Sequence, residues 1–208
     1  MLPEKLALAQ AVCTRLCHDL GGPVGALGAA MELLEAESSV ARVGDDAVAV
    51  ARDAVRVIDR RLRFLRAAMG GCGDLGVDEV AALAEGLTLG RRAAMDFAGL
   101  PADLHLGPAA GQVLLLALWV AVEALPRGGT VRVSGDVERG VAVWPDGPGA
   151  AWPAGLTAAL AGNAPPPSPR GIAPVLLAVV VAAGRVRLDM ALGAGAAAPL
   201  VIGLRVEH

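Results

Sequence analysis

The sequence is poor in the features that would place it at once. Its 208 residues include three cysteines, Cys13, Cys17 and Cys72, with no C-x-x-C pair. So odd and sparse a set argues against a disulfide framework or a zinc knuckle. Long apolar runs are missing too, although 55% of the residues are hydrophobic. Residues 175–183 lie between Pro174 and Gly184, and residues 113–122 end at Glu123. Both fall short of the roughly 20 residues that cross a bilayer, and both read as buried core helices. The start Met1-Leu2-Pro3-Glu4-Lys5 lacks a basic stretch followed by an apolar core, so no secretory signal is read and a cytoplasmic location is expected. A net charge of −3 gives no general attraction for nucleic acid or an anionic membrane, and neither is expected as a partner.

What is present is ordered along the chain. From Leu6, apolar or small residues fall on two interlocked seven-residue series, Leu6, Cys13, Leu20, Leu27, Leu34 and Gln10, Cys17, Val24, Met31. That spacing predicts the seam of a long helix packed on other helices. Gly21, Gly22, Pro23, Gly25 and Gly28 fall inside it and are expected to weaken or bend it. Residues 45–69 repeat the pattern with Val48, Ala51, Val55, Ile58, Leu62, Leu65 and Met69. The short polar stretch between makes an antiparallel hairpin the simplest arrangement. A lone hairpin leaves its stripe half covered. Pairing with a second copy into a dimeric four-helix bundle would cover it, so a homodimer is expected; the alternative is that the C-terminal half covers it within one chain. Arg52, Arg56, Arg60, Arg61, Arg63 and Arg66 mark the solvent face of the second helix, either a solvated face or a docking surface for an acidic partner.

Gly70-Gly71-Cys72-Gly73 is read as a hinge between two units, 1–70 and 74–208. Beyond it the pattern predicts helices at 77–89, 108–125, 154–161 and 172–183. Strands are expected at 93–98, 130–134, 137–144, 185–192 and 199–206, with a loop at 145–149. The chain is therefore of the α+β class: a helical hairpin followed by an α/β sandwich. No internal repeat is found.

His105 in an expected loop and the terminal His208 read as ordinary exposed residues. His18 differs. It follows the seam residue Cys17, so it projects about a quarter turn from the apolar stripe, and Asp19 beside it could hold the ring. A neutral imidazole is a competent nucleophile. No serine stands in a nucleophile-elbow context, and no further ligand set points to a metal.

The segment His18-Asp19-Leu20-Gly21-Gly22-Pro23 resembles the phospho-acceptor box of histidine kinase dimerisation domains. Residues 113–129 are similar to the nucleotide-binding helix of the kinase ATPase domain. Residues 145–149 are similar to its D-x-G-x-G box, and residues 170–184 to its glycine-rich box and last helix. The departures matter. Val120 stands where a kinase carries the magnesium-coordinating Asn, and Pro145 where it carries the adenine-binding Asp, unless the loop slips by one and offers Asp146. Gly171-Ile172-Ala173-Pro174 replaces the phosphate-wrapping glycines. A valine offers no oxygen to a hard cation. An acceptor histidine joined to an emptied, Bergerat-type ATPase domain resembles the ChpT-like bacterial histidine phosphotransferases.

That resemblance implies a phosphorelay. A phosphorylated receiver domain of a hybrid histidine kinase would present its aspartyl phosphate to His18, with Asp19 assisting. Response-regulator receivers would later remove it. No cofactor is expected on this chain, and Mg2+ is expected on the partner receiver. Gly21, Gly22 and Gly25 would admit the receiver's backbone, and Arg15, Arg56, Arg60 and Arg63 would meet its acidic pocket. Two other readings stand beside it: an active sensor kinase with a divergent nucleotide loop, and a non-catalytic dimeric scaffold or kinase inhibitor of the same fold.

Overall fold

In a computed structural model that describes residues 2–36, 41–184, 186–191 and 197–204, the N-terminal pattern becomes two long helices, α1 (Leu2–Ala36) and α2 (Ala41–Gly70). They pack along their length with Arg61 reaching Asp19, as an antiparallel hairpin requires. α1 runs without interruption through Pro23 and its neighbouring glycines.

The seven-residue series does not act as one seam. Leu20, Leu27 and Leu34 are half-buried against α2, whereas Leu6, Gln10, Cys13, Cys17, Val24 and Met31 are exposed. An α-helix drifts by about 20° per seven residues, so burial passes instead to Ala11, Arg15 and Ala30. The uncovered apolar side carries Leu6, Val24 and Met31 from α1 and Val55 and Leu62 from α2, each more than 40% exposed. The rest of the chain covers only the other side.

After Gly70 come β1 (Leu75–Gly76), α3 (Val77–Thr88), β2 (Ala93–Gly99), β3 (His105–Leu106), α4 (Pro108–Glu123), β4 (Gly129–Asp136) and β5 (Gly140–Asp146). Then follow α5 (Gly155–Leu160), α6 (Ile172–Gly184), β6 (Leu188–Met190) and β7 (Leu200–Ile202). Five strands form one mixed sheet in the order β2-β4-β5-β7-β6, with β2 parallel to β4 and the other pairs antiparallel. β1 and β3 form a separate two-residue pair, too short to show periodicity, and it takes up His105. β5 extends over Pro145 and Asp146, where a loop was expected. β7 pairs only with Val141, Ala142 and Val143, so Pro145 stands where β5 has a neighbour on one side only, a position proline tolerates. β6 and β7 are shorter than expected, and Arg185, Leu192 and residues 205–208 lie outside the described residues.

Alternation sends Val131, Val133, Val141, Val143, Pro145, Leu200 and Ile202 into the core and leaves Arg132 and Asp146 on the open face. α4 is apolar all round because it is covered all round: every residue from Val113 to Val122 is buried, packed against the sheet, α6, α2 and α3. The core is continuous with the hairpin, since Ala11, Phe64, Leu65 and Ala68 join the cluster built around α4. α3 fits closely on α2: a Cβ at Gly86 would collide with the Arg60 carbonyl and the Phe64 side chain. The chain is thus the α+β arrangement expected, with the second unit seated on one side of the hairpin.

Candidate functional site

Two helical turns of α1 build the site. His18 is 84% exposed, and its Nδ1 lies 3.3 Å from Asp19 Oδ1. Asp19, only 15% exposed, is held from the other side by Arg15, whose Nε donates to Asp19 Oδ2 at 2.7 Å. The i, i+4 spacing stacks Arg15 and Asp19 on one face, while His18 points outward.

Arg15 corrects an expectation. Rather than standing free for a receiver, it is 8% exposed and fully engaged. Its Nη2 meets Glu123 Oε1 at the end of α4 at 2.6 Å, and its Nη1 donates to the Pro169 carbonyl at 3.1 Å. Its guanidinium also lies 5.2 Å from the centre of the Trp119 ring, a cation–π distance. Glu123 receives the Trp119 indole N–H at 3.1 Å as well, and Trp119 stacks edge-on against Phe64 of α2 with centroids 6.1 Å apart. One guanidinium therefore ties α1 to α4 and to the segment before α6. Burial works against its charge, but Glu123 and Asp19 outweigh it and hold the Arg15 pKa above its ordinary value. Burial pushes the Glu123 carboxyl up, with Arg15 opposing.

Pro23 has a local consequence. Lacking an N–H, it leaves the carbonyl four residues back, that of Asp19, without its helical partner. The Arg61 guanidinium fills that place by donating to the Asp19 carbonyl. Arg61 thus leaves the solvent face on which the arginine series placed it. Burial, and then the nearby charge of Arg91, lower its pKa, with Asp19 opposing.

His18 and Asp19 border a cleft of about 550 Å³ whose far wall includes Arg91, Pro126 and Arg170 of the second unit. Three lining guanidiniums, Arg15, Arg91 and Arg170, face two carboxylates, Asp19 and Glu123, so the cleft carries an excess of positive charge. Gly21, Gly22 and Gly25 are exposed with nothing within 4 Å of where a Cβ would stand. Arg56, Arg60 and Arg63 do not line the cleft; they pair with Asp53, Glu85 and Asp59. The positions compared with a nucleotide site divide between the core and the open sheet face. Val120, Ile172 and Ala173 are fully buried, and Asp146 lies on the sheet face away from α4, paired with Arg132 at 2.8 Å. Among the described residues no helix is long and apolar enough to cross a membrane.

Two stability measurements follow. Arg61→Met, by stranding the Asp19 carbonyl, is expected to cost about 1–3 kcal/mol in urea denaturation; in a Pro23→Ala background, where the helical N–H returns, the cost shrinks, whereas equal costs would refute the link. Arg15→Met strands a buried carboxylate and is expected to cost about 3–5 kcal/mol at neutral pH. The native Glu123 carboxyl titrates above its unfolded value, so in the window between the two the native state binds the proton first. Acidification through that window therefore adds stability from this group. The variant, lacking Arg15, should recover part of its deficit relative to wild type as pH falls.

A family model described as the histidine phosphotransferase C-terminal domain matches residues 77–195, from α3 through β6. The protein phosphotransferase ChpT of Brucella abortus (strain 2308) is 32% identical over 130 residues, which make up 62% of this chain and 60% of that protein. The chain thus spans about three fifths of the length of this curated relative. A solved bacterial phosphotransferase structure is 24% identical, with 95% of each chain covered and a TM-score of 0.73, a likeness of fold. With more than half of its length matched by the family model, the chain belongs to the histidine phosphotransferase family defined by that C-terminal domain.

Proposed function

We propose that this chain is a relay protein that accepts a phosphoryl group on His18 from a receiver-domain aspartate and passes it to other receivers. The observation that carries this reading is an imidazole 84% exposed beside a carboxylate that is itself held in place. With Asp19 accepting at Nδ1, the lone pair stays on Nε2, which faces outward. Attack by Nε2 forms the N–P bond, and the P–O bond to the receiver's aspartate breaks with its electron pair left on that carboxylate. The proton stays on Nδ1, shared with Asp19, which offsets the charge gained by the ring. Such transfer depends chiefly on position and charge. Charge neutralisation by Mg2+ belongs in this reading to the receiver's own carboxylates. The open glycine face of α1 and the positive cleft fit a receiver's backbone and acidic pocket. Arg56, Arg60 and Arg63 remain outer contacts in this account, while Arg61 and Arg91 are the cations nearer the acceptor.

The buried Val120 and the outward Asp146 support a chain that is charged by another protein and not by ATP. A phosphorylated receiver of a hybrid kinase is the donor in this reading, response regulators are the acceptors, and the cytoplasm is the compartment. The exposed stripe of Leu6, Val24, Met31, Val55 and Leu62 supports a homodimer through a four-helix bundle.

Incubation with a pre-phosphorylated receiver is expected to give an acid-labile, base-stable label that His18→Ala loses while keeping its fold. Label acquired from Mg·ATP alone would favour the kinase reading, and unchanged transfer by His18→Ala would end the relay reading. Light scattering is expected to give twice the chain mass, falling to a monomer in Val55→Glu/Leu62→Glu; a monomeric wild type would contradict the bundle.

A further inference from the structure

Glu123 lies on the second unit, shares no hydrogen bond or ion pair with His18 among the described residues, and yet grips Arg15, the cation that holds the Asp19 carboxylate. Its Oε1 accepts from Arg15 Nη2 at 2.6 Å and from Trp119 Nε1 at 3.1 Å. Arg15 in turn holds Asp19 at 2.7 Å, and Asp19 meets His18 Nδ1 at 3.3 Å. Glu123 is 14% exposed in its side chain and Arg15 10%. A guanidinium so little exposed depends on its carboxylates, so if one is removed it is drawn toward the one that remains. With Glu123 in place, Arg15 is pulled from both ends and Asp19 keeps one oxygen, Oδ1, for the imidazole. Without it, the fork is free to close on Asp19 alone and draw both oxygens away from His18.

We infer that Glu123 is a positioning residue for phosphoryl transfer, through which the second unit fixes Asp19, and hence the tautomer and orientation of His18, by way of Arg15. This rests on the relay reading of His18 and adds a task for the second unit: to hold the acceptor. The carboxylate acts through two intermediaries and touches neither donor nor phosphoryl group. Misplacement of a reacting group by a fraction of an ångström to 1 Å slows a positioned reaction steeply, about a hundredfold at the upper end.

The test is single-turnover transfer from a phosphorylated receiver to four full-length proteins: wild type, Glu123→Gln, Asp19→Asn, and the double variant. Glu123→Gln keeps an acceptor for Trp119 and removes the charge that holds Arg15. The expected result is a loss of about tenfold or more in the transfer rate, with receiver affinity unchanged. In the Asp19→Asn background the same change should have no further effect, because its target is already gone. An undiminished rate, or an equal loss in both backgrounds, would overturn the inference, since a general structural weakening acts in both. Should Glu123→Gln fail to fold, Arg15→Lys, which keeps the charge and cannot fork between the two carboxylates, reads the same quantity. Nitrogen-15 spectra of the His18 ring provide a readout independent of transfer. A lower Nδ1–H fraction in Glu123→Gln supports the linkage even if no receiver phosphorylates the wild type, an outcome that would count against the relay reading alone. An unchanged tautomer fraction would overturn the linkage.

Discussion

A guanidinium taken out of water keeps its charge and must therefore be surrounded by acceptors, and at Arg15 that demand organises the structure. Its three nitrogens are divided among Asp19 on its own helix, Glu123 at the end of α4 and the Pro169 carbonyl before α6, with Trp119 closing its face. The two partners on α4, Trp119 and Glu123, are themselves held in place. Trp119 leans on Phe64 of α2, α4 is buried along its length, and Gly86 lets α3 settle against Arg60 and Phe64. The hairpin is thereby seated on the second unit with His18 turned outward.

This seating separates two tasks that the same architecture could combine. The side of the hairpin opposite the second unit keeps an exposed apolar stripe. The second unit, with Val120 and Ile172 inside its core, offers a wall to the His18 cleft, bearing Arg91 and Arg170, and an anchor for Arg15. In the structure the second unit braces the hairpin through Glu123, Trp119 and the Pro169 carbonyl. The Pro23–Arg61 arrangement serves the same end on a smaller scale: a carbonyl released by proline becomes the point where α2 takes hold of the turn that carries His18 and Asp19.

Much of this could be read along the chain. The sequence-adjacent His18 and Asp19, with Pro23 following, are local features, and the apolar run of α4, the alternating β4 and the limits of the hairpin are periodicities. What escaped was long-range. The arginines of α2 from Arg52 to Arg66 look alike in sequence, and only the carbonyl freed by Pro23 singles out Arg61. Arg15 stood one turn from His18 and invited a contact role, because nothing in its neighbourhood announces Glu123 more than a hundred residues away. Glu123 itself was visible only as the residue that stops an apolar run; a lone carboxylate at the end of a fully buried helix is also a sign of a buried partner, and that was the available clue. The seven-residue series was real as a pattern, but the helix's drift divided it between the chain's own core and an open face.

The central claim is that Nε2 of a tethered, outward imidazole takes the phosphoryl group. Its most direct test is nitrogen-15 and phosphorus-31 spectroscopy of the protein after reaction with a phosphorylated receiver. The account predicts one phosphoramidate, at His18, with coupling between phosphorus and Nε2. A phosphoryl group on Nδ1, or on any residue other than His18, would contradict it.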